Sequence, residues 1–349
     1  MNVVNSSARC IAWLCSYTPE ELILAAGLES RRILGRIGAT AVADACLHPN
    51  LCAYVRACLS QVMENSSEID GVVGVDSCDA MRRLLDVWRH KLSPGFFHVL
   101  ALPHMWEAKA IEYFEAGLGR LVRALSEYVG REITEDDLRR GIGLMNQTRE
   151  LLERLDSLRR TSSSPTGEEF YRIVLRAMTS PKEEFNTGLG ERLRELESQA
   201  KENKDSIRIM LSGGVLDNPW VVEAIEDAGG RVVADDLCCG SRYFEGLAST
   251  EGGPLRAIAE RYILRAPCAR MSDTDERIER LATVVEESGA QGLIYYSVKF
   301  CDPHMLDWAP ISEAMHSRGI PTLRCETDYS QSERERMRTR IEAFLEMLR

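Results

Sequence analysis

Near the start of the chain, four short β-branched or apolar runs alternate with helical patterns, and the same arrangement returns at its end. The first set is Cys10–Leu14, Arg32–Leu34, Gly71–Val75 and Phe96–Leu102; the second is Ile207–Leu211, Arg231–Ala234, Gly292–Val298 and Pro321–Arg324. Strands that alternate with helices predict parallel sheets, because a parallel partner is reached only through a crossover. Each set therefore predicts a four-stranded parallel sheet in an α/β domain. The third run of each set leads into Cys-Asp, Cys78-Asp79 in one and Cys301-Asp302 in the other. We read this as internal duplication.

Local signals agree with that plan. Thr18-Pro19-Glu20-Glu21 sets a capping hydroxyl, a proline at the first helical position and a glutamate three residues after the cap, and Gly27 supplies a stop. A second helix is predicted from Pro219 to Asp227, ending at Gly229-Gly230. From Met105 to Lys204 the pattern changes to apolar residues at helical spacing with dense charge, as at Leu151, Leu152, Leu155 and Leu158, broken by the polar turn Thr161–Gly167. The expected division is an N-terminal α/β domain over 1–104, a helical connector over 105–205 and a C-terminal α/β domain over 206–349. Two cores are expected for a chain of 349 residues.

A net charge of −11 and the lack of a Lys/Arg run argue against a nucleic-acid partner. No stretch reaches the roughly 18 consecutive apolar residues of a membrane span, and Met1 to Arg9 has no signal-like apolar region, so the expected location is cytoplasmic. Eleven cysteines then need a reason other than disulfides. Ligands of open parallel sheets sit beyond the carboxyl ends of the strands, where Cys15, Cys78, Cys238, Cys239 and Cys301 all fall. If the halves face each other, these thiols converge, and convergent thiolates bind soft metal. The Cys-x-x-Cys knuckles of structural zinc sites are absent, as is HExxH. So are GxxxxGK[ST], GxGxxG after a strand and GxSxG, which removes a Walker loop, a dinucleotide fingerprint and a nucleophile elbow. Iron–sulfur clusters take cysteine thiolates without compact spacing.

Several stretches resemble the D-component of the 2-hydroxyacyl-CoA dehydratase and benzoyl-CoA reductase family. They are Cys15 to Ile23 with Ala25-Ala26-Gly27, Cys52-Ala53-Tyr54-Val55-Arg56, Ser77-Cys78-Asp79, Asp235-Asp236-Leu237, Ser241-Arg242, Val298 to Pro303 and Thr339 to Phe344. The resemblance implies two Rossmann-like domains with a 4Fe–4S cluster in the cleft between them, held by Cys52, Cys78 and Cys301 with one iron open. It also implies a CoA thioester substrate, an ATP-dependent iron–sulfur activator protein that delivers one low-potential electron, and a ketyl radical that expels the hydroxyl. On that pattern Ser16 is either a substrate-side hydrogen-bond partner or a local turn hydroxyl. Arg242 either binds a CoA phosphate or carboxylate or forms a domain-interface ion pair. Glu20 and Glu21, in a first helical turn, are expected to be structural.

Two departures stand out. Ala53 replaces a common proline, leaving the ligand thiol intact. Cys238-Cys239 replaces Ala-Gln and, with Cys268 in Ala266-Pro267-Cys268-Ala269-Arg270, resembles the double-cubane branch of the family. Neighbours on an extended segment point opposite ways, so one of the adjacent pair is expected to face the cleft; alternation does not say which, and Cys239 is favoured. Three readings follow: an activator-dependent enzyme on a CoA thioester, beside a related second subunit; a homodimeric 8Fe–9S double-cubane reductase of small molecules with no CoA site; or a non-catalytic electron-transfer subunit. They predict, in turn, an open iron with a channel for a pantetheine arm, about twice the iron per chain, and four protein ligands with no cavity.

Overall fold

The computed structural model describes residues 9–36, 38, 40–161, 164–199, 206–271 and 274–349. The predicted boundary near residue 205, and Ser162 and Ser163 of the predicted turn, lie outside them. The N-terminal sheet holds β1 (Cys10–Trp13), β2 (Glu29–Arg32), β3 (Gly71–Val75) and β4 (Phe96–Leu100) in the order β2-β1-β3-β4, all parallel. The C-terminal sheet repeats this with β5 (Ile207–Gly213), β6 (Gly230–Asp236), β7 (Gly292–Val298) and β8 (Thr322–Thr327) in the order β6-β5-β7-β8. The two orders are the same permutation, as a duplication requires.

The crossovers of the first half are α1 (Glu20–Ala25), α2 (Ala41–Asp44), α3 (Ala53–Glu64) and α4 (Asp79–Leu92). The connector is four helices, α5 (Ala108–Val129), α6 (Glu135–Thr161), α7 (Gly167–Thr179) and α8 (Lys182–Gln199). The second half carries α9 (Trp220–Asp227), α10 (Ser241–Phe244), α11 (Pro254–Leu264), α12 (Thr274–Ser288), α13 (Asp302–Ser317) and α14 (Gln331–Leu348).

Three expectations are corrected. β2 is Glu29–Arg32 and not Arg32–Leu34: as an edge strand it pairs Cys10 with Glu29 and Trp13 with Arg32, and buries Ser30 and Arg32. The apolar Ile33-Leu34 lies just past its end, so hydrophobicity points to the wrong residues. Thr18 does not cap α1. Its N–H closes a turn on the Cys15 carbonyl, Pro19 takes the cap position with no side-chain hydrogen bond, and Glu21 reaches elsewhere. Finally, the cores are not one per domain. A continuous core runs through both sheets and the connector, and a second small one, around Met210, Leu281, Tyr295 and Ile311, lies under α12 and α13. The connector causes this, because α6 and α7 each pack on elements of both halves.

The seam between the halves is charged. Glu20 accepts from Ser30 Oγ and Tyr243 Oη, both at 2.8 Å, and pairs with Lys182 Nζ at 2.9 Å. Glu21 pairs with Arg149 and accepts from Tyr262 Oη at 2.9 Å. Burial alone would raise the Glu21 pKa, but the Arg149 and Arg261 guanidiniums hold it below the usual carboxylate range. Removing one member of such a pair strands a buried charge. Glu21→Ala should therefore destabilise the chain by about 3–5 kcal/mol in urea unfolding, and a loss below about 1 kcal/mol would show that the pair is not holding the seam.

Candidate metal centre between the two sheets

The strand ends and helix starts bring six cysteines to the seam. Cys52, Cys78 and Cys301 are the N-cap residues of α3, α4 and α13, each with no side-chain cap hydrogen bond. A helix N-terminus carries unpaired amides and the positive end of the helix dipole, a setting that suits an anionic ligand. The backbone aims them: Phe300 takes a left-handed φ of 62°, and the Ala53 N–H reaches the Lys299 carbonyl at 3.4 Å, tying the Cys52 turn to the Cys301 turn across the domains. The Cys52 thiol is hydrogen-bonded to Cys301 sulfur. That bond, with Arg270 alongside, pulls Cys301 down to about 5 despite burial, and pushes Cys52 up.

Beside this set lies a narrow cavity of about 20 Å³, room for roughly one water. Cys15, Ser16, Cys238 and Cys268 line it, with Arg32 and Arg270. Arg270 borders it, with its Nη1 3.4 Å from Cys268 Sγ and its Nη2 3.9 Å from Cys301 Sγ, and Cys78 and Cys15 also in electrostatic reach. Burial raises the Cys268 pKa, but Arg242, Arg270 and a hydrogen bond from His304 outweigh it and hold the thiol well below its ordinary value. His304 is held in turn by Tyr295 Oη at 2.9 Å, which also reaches Asp307.

The remaining sequence candidates divide. Ser16 Oγ accepts from Arg265 Nη2 at 3.0 Å on the cavity wall. Arg242 turns its donors inward, to the Pro267 carbonyl at 3.2 Å and the Gly213 carbonyl at 2.9 Å, with Asp236 at 3.5 Å from Nε, which is the geometry of an internal ion pair. Cys238, and not the favoured Cys239, lines the cavity. Its sulfur meets Arg32 Nη2 at 3.4 Å, whereas Cys239, 0% exposed, is set among Arg32, Cys238 and the Asp217 carboxylate. Sequence reasoning missed Arg32, Arg265 and Arg270. Only Arg270 carried a signal, two residues from Cys268 in a stretch already singled out.

These arginines test whether an iron–sulfur cluster suits the site. Arg32, Arg265 and Arg270 make no salt bridge to a carboxylate among the described residues, and the Nε of each is buried without a partner. A buried cation without an anion is costly. Thiolates and an anionic cluster would supply that charge, and the donor set is sulfur throughout, so the residues fit the group. No three donors among the described residues converge on a point for a single ion. A cluster needs no such point, because each thiolate takes a different iron.

Fold and site together define a class: a two-domain α/β protein whose facing sheets enclose a buried set of thiols balanced by arginine. The family model for the 2-hydroxyglutaryl-CoA dehydratase D-component matches residues 15–348, and the chain belongs to that family. It is 26% identical over 352 residues to the beta subunit of (R)-2-hydroxyglutaryl-CoA dehydratase from Acidaminococcus fermentans, covering 97% of this chain and 92% of the relative. It is 25% identical over 325 residues to one of the subunits of benzoyl-CoA reductase from Thauera aromatica, covering 90% and 84%. The beta subunit of (R)-phenyllactyl-CoA dehydratase from Clostridium sporogenes is 22% identical over 346 residues, covering 97% and 92%. No helix among the described residues is long and apolar enough to cross a membrane.

Behind the thiols, Asp217 joins the halves by accepting from the Gly35 N–H and Tyr329 Oη, each at 2.7 Å. Burial pushes its pKa up to about 6 against those bonds. A carboxyl with a raised folded pKa contributes most below its unfolded value, about 3.9, and loses that contribution as pH rises to 6. The stability of the chain relative to Asp217→Asn should therefore fall by about 2 kcal/mol between pH 4 and pH 7. A difference that stays flat across that range would refute the shift.

Proposed function

We propose that this chain is the iron–sulfur subunit of a dehydratase- or reductase-type enzyme that takes a low-potential electron from an ATP-dependent activator and acts on a CoA thioester. The observation that carries the reading is the set of N-cap thiols, the buried Cys52 and Cys301 and the half-buried Cys78, set against arginines with no carboxylate partner among the described residues. A cluster bound there supplies one-electron transfer and a Lewis-acidic iron. The chain's own residues do the rest. The three helix N-termini stabilise the thiolates, and Arg270 offsets the added charge. Ser16, fixed by Arg265, presents its hydroxyl at the cavity wall, where a carbonyl oxygen can accept from it. Burial keeps water from a strongly reducing centre. The Arg265–Pro267 segment that leads into Cys268 also borders an open cavity of about 1100 Å³ walled by Trp106, Leu264 and Val284, which supports entry of an acyl chain from that side. The relatives are themselves subunits of such dehydratases and of a reductase, which supports a related second subunit as partner.

A second reading, a double-cubane reductase of small molecules that forms a homodimer, is favoured by two observations. Cys238 and Cys268 share one cavity wall. The outer cavity is lined by carboxylates, Glu245, Glu260, Asp275, Glu279 and Glu287 among them, against three arginines, Arg261, Arg265 and Arg280, a net negative wall that suits the phosphates of CoA poorly.

Anaerobic iron and acid-labile sulfide analysis tests both. About four irons per chain supports one cubane and about eight supports two, while an iron-free protein after anaerobic reconstitution would end the proposal. Cys301→Ala should lose the first cubane. Ser16→Ala should keep its iron and lose stability by no more than about 1 kcal/mol, yet lower kcat on a 2-hydroxyacyl-CoA thioester in the presence of an activator.

A further inference from the structure

The outer cavity of about 1100 Å³ is polarised, cationic at the end of α11 and anionic along α12. Three of its carboxylates are already neutralised, Glu245 by Arg280, Glu260 by Arg256 and Glu279 by Arg318. The others, Asp275, Glu276 and Glu287, all stand on α12. Two of the lining arginines are not neutralised. Arg261 in the last turn of α11 and Arg265 at its C-cap form no salt bridge with a carboxylate among the described residues.

Arg261 is 6% exposed, and its Nε and Nη2 are engaged by the carbonyls of Gly246, Tyr243 and Glu245 at 3.2, 2.8 and 3.1 Å. Its Nη1 has no partner among the described residues and remains accessible to solvent. Burial, with the Arg149 guanidinium alongside, pulls its pKa down to about 9, and Glu21, the carboxylate in reach, is taken by Arg149. Arg265, 7% exposed, adds a second guanidinium, whose Nε is buried without a partner while its Nη groups hold the Arg242 carbonyl and Ser16 Oγ. Two neighbouring buried cations without a counter-charge are costly, and an anion on the cavity side relieves that cost. The same cavity is walled by Trp106, Leu247, Leu264 and Val284, and Leu247 and Leu264 are 45% and 58% exposed. Hydrocarbon laid against them leaves water.

We propose that this cavity binds a small monocarboxylate with an apolar body, its carboxylate on Arg261 with Arg265 behind it and its hydrocarbon against Trp106 and Leu264. The carboxylates of α12 reject a ligand that carries a second negative charge. The inference goes beyond the cluster-bearing reading and does not depend on it, since no thiol takes part.

The test is equilibrium dialysis of the full chain, prepared anaerobically, against 3-phenylpropionate, succinate and inorganic phosphate. 3-Phenylpropionate should bind, and the other two at least about tenfold more weakly. Arg261→Gln should weaken 3-phenylpropionate by about tenfold or more, as expected for a lost charge-assisted hydrogen bond, with circular dichroism checking the fold. Glu287→Gln should tighten succinate. Should Arg261→Gln fail to fold, arginine modification by phenylglyoxal, mapped by mass spectrometry on the parent chain, decides the matter: 3-phenylpropionate should protect Arg261. The site is overturned by no binding of 3-phenylpropionate, by unchanged affinity in Arg261→Gln, by succinate or phosphate binding as tightly, by a Glu287→Gln chain that binds succinate no better, or by equal Arg261 modification with and without the probe.

Discussion

The way the two sheets face each other depends on two adjacent glutamates. Glu20 and Glu21 leave the first turn of α1 for opposite partners, Glu20 to Lys182 and Tyr243, and Glu21 to Arg149 and Tyr262. Parallel sheets alone do not fix this geometry, since apolar faces tolerate sliding and rotation. Buried ion pairs do not tolerate it, because a displaced partner leaves a charge in a medium that cannot solvate it. Their net contribution to stability is modest for that reason, whereas their contribution to orientation is large. With the seam fixed there, the carboxyl ends of β1 and β3 lie toward those of β6 and β7, and the cysteines after those strands gather between the sheets.

Around the thiols the same physics runs with the opposite sign. The seam pairs each carboxylate with a cation, but the site gathers guanidiniums and withholds carboxylates from them. Arg32 is left with the Cys238 carbonyl, the Cys238 sulfur and the Met178 sulfur as partners. Arg265 rests over Tyr17 at 4.3 Å and on the Ser16 hydroxyl. Such an arrangement is unfavourable in itself and becomes favourable when anionic sulfur occupies the centre. The three helix N-termini add to that bias with partial positive charge. A site built this way prefers a sulfur-ligated, negatively charged group over a divalent cation held by oxygen.

Much of the scaffold was legible from residue order. The runs at Gly71–Val75 and Gly292–Val298 are strands over the predicted residues, because both are central strands buried on two faces and read as unbroken apolar stretches. The edge strand β2 was misplaced because it carries Glu29, Arg31 and Arg32, with apolar residues following it. The capping box at Thr18 was misread for a related reason: Glu21 fits the local motif, but a buried arginine more than a hundred residues away holds it. The site divided along the same line. Strand-end position pointed to Cys15, Cys78, Cys238, Cys239 and Cys301, since a short turn carries a side chain little distance from its strand. Cys52 precedes a helix instead, and only the resemblance named it. Arg32 and Arg265 gave no signal, because their function lies in what they fail to pair with, and that is a property of packing.

The choice between Cys238 and Cys239 shows how small such a packing decision can be. The alternation argument does not carry over, since Cys238 and Cys239 lie in a turn with their side chains hydrogen-bonded to each other, although only one of the two lines the cavity. Alternation does not say which. The turn is held by Arg32, the last residue of β2, whose guanidinium caps the Cys238 carbonyl at 2.8 Å. The Cys238 sulfur meets Arg32 and lines the cavity, while Cys239 is buried among Arg32, Cys238 and Asp217. One hydrogen bond from the edge strand of one domain thus holds the turn of the other domain that carries both thiols. The edge strand is also the element whose charged sequence hid it from an apolar pattern, so the residue that orients the thiols and the residue that misleads the reading are the same arginine.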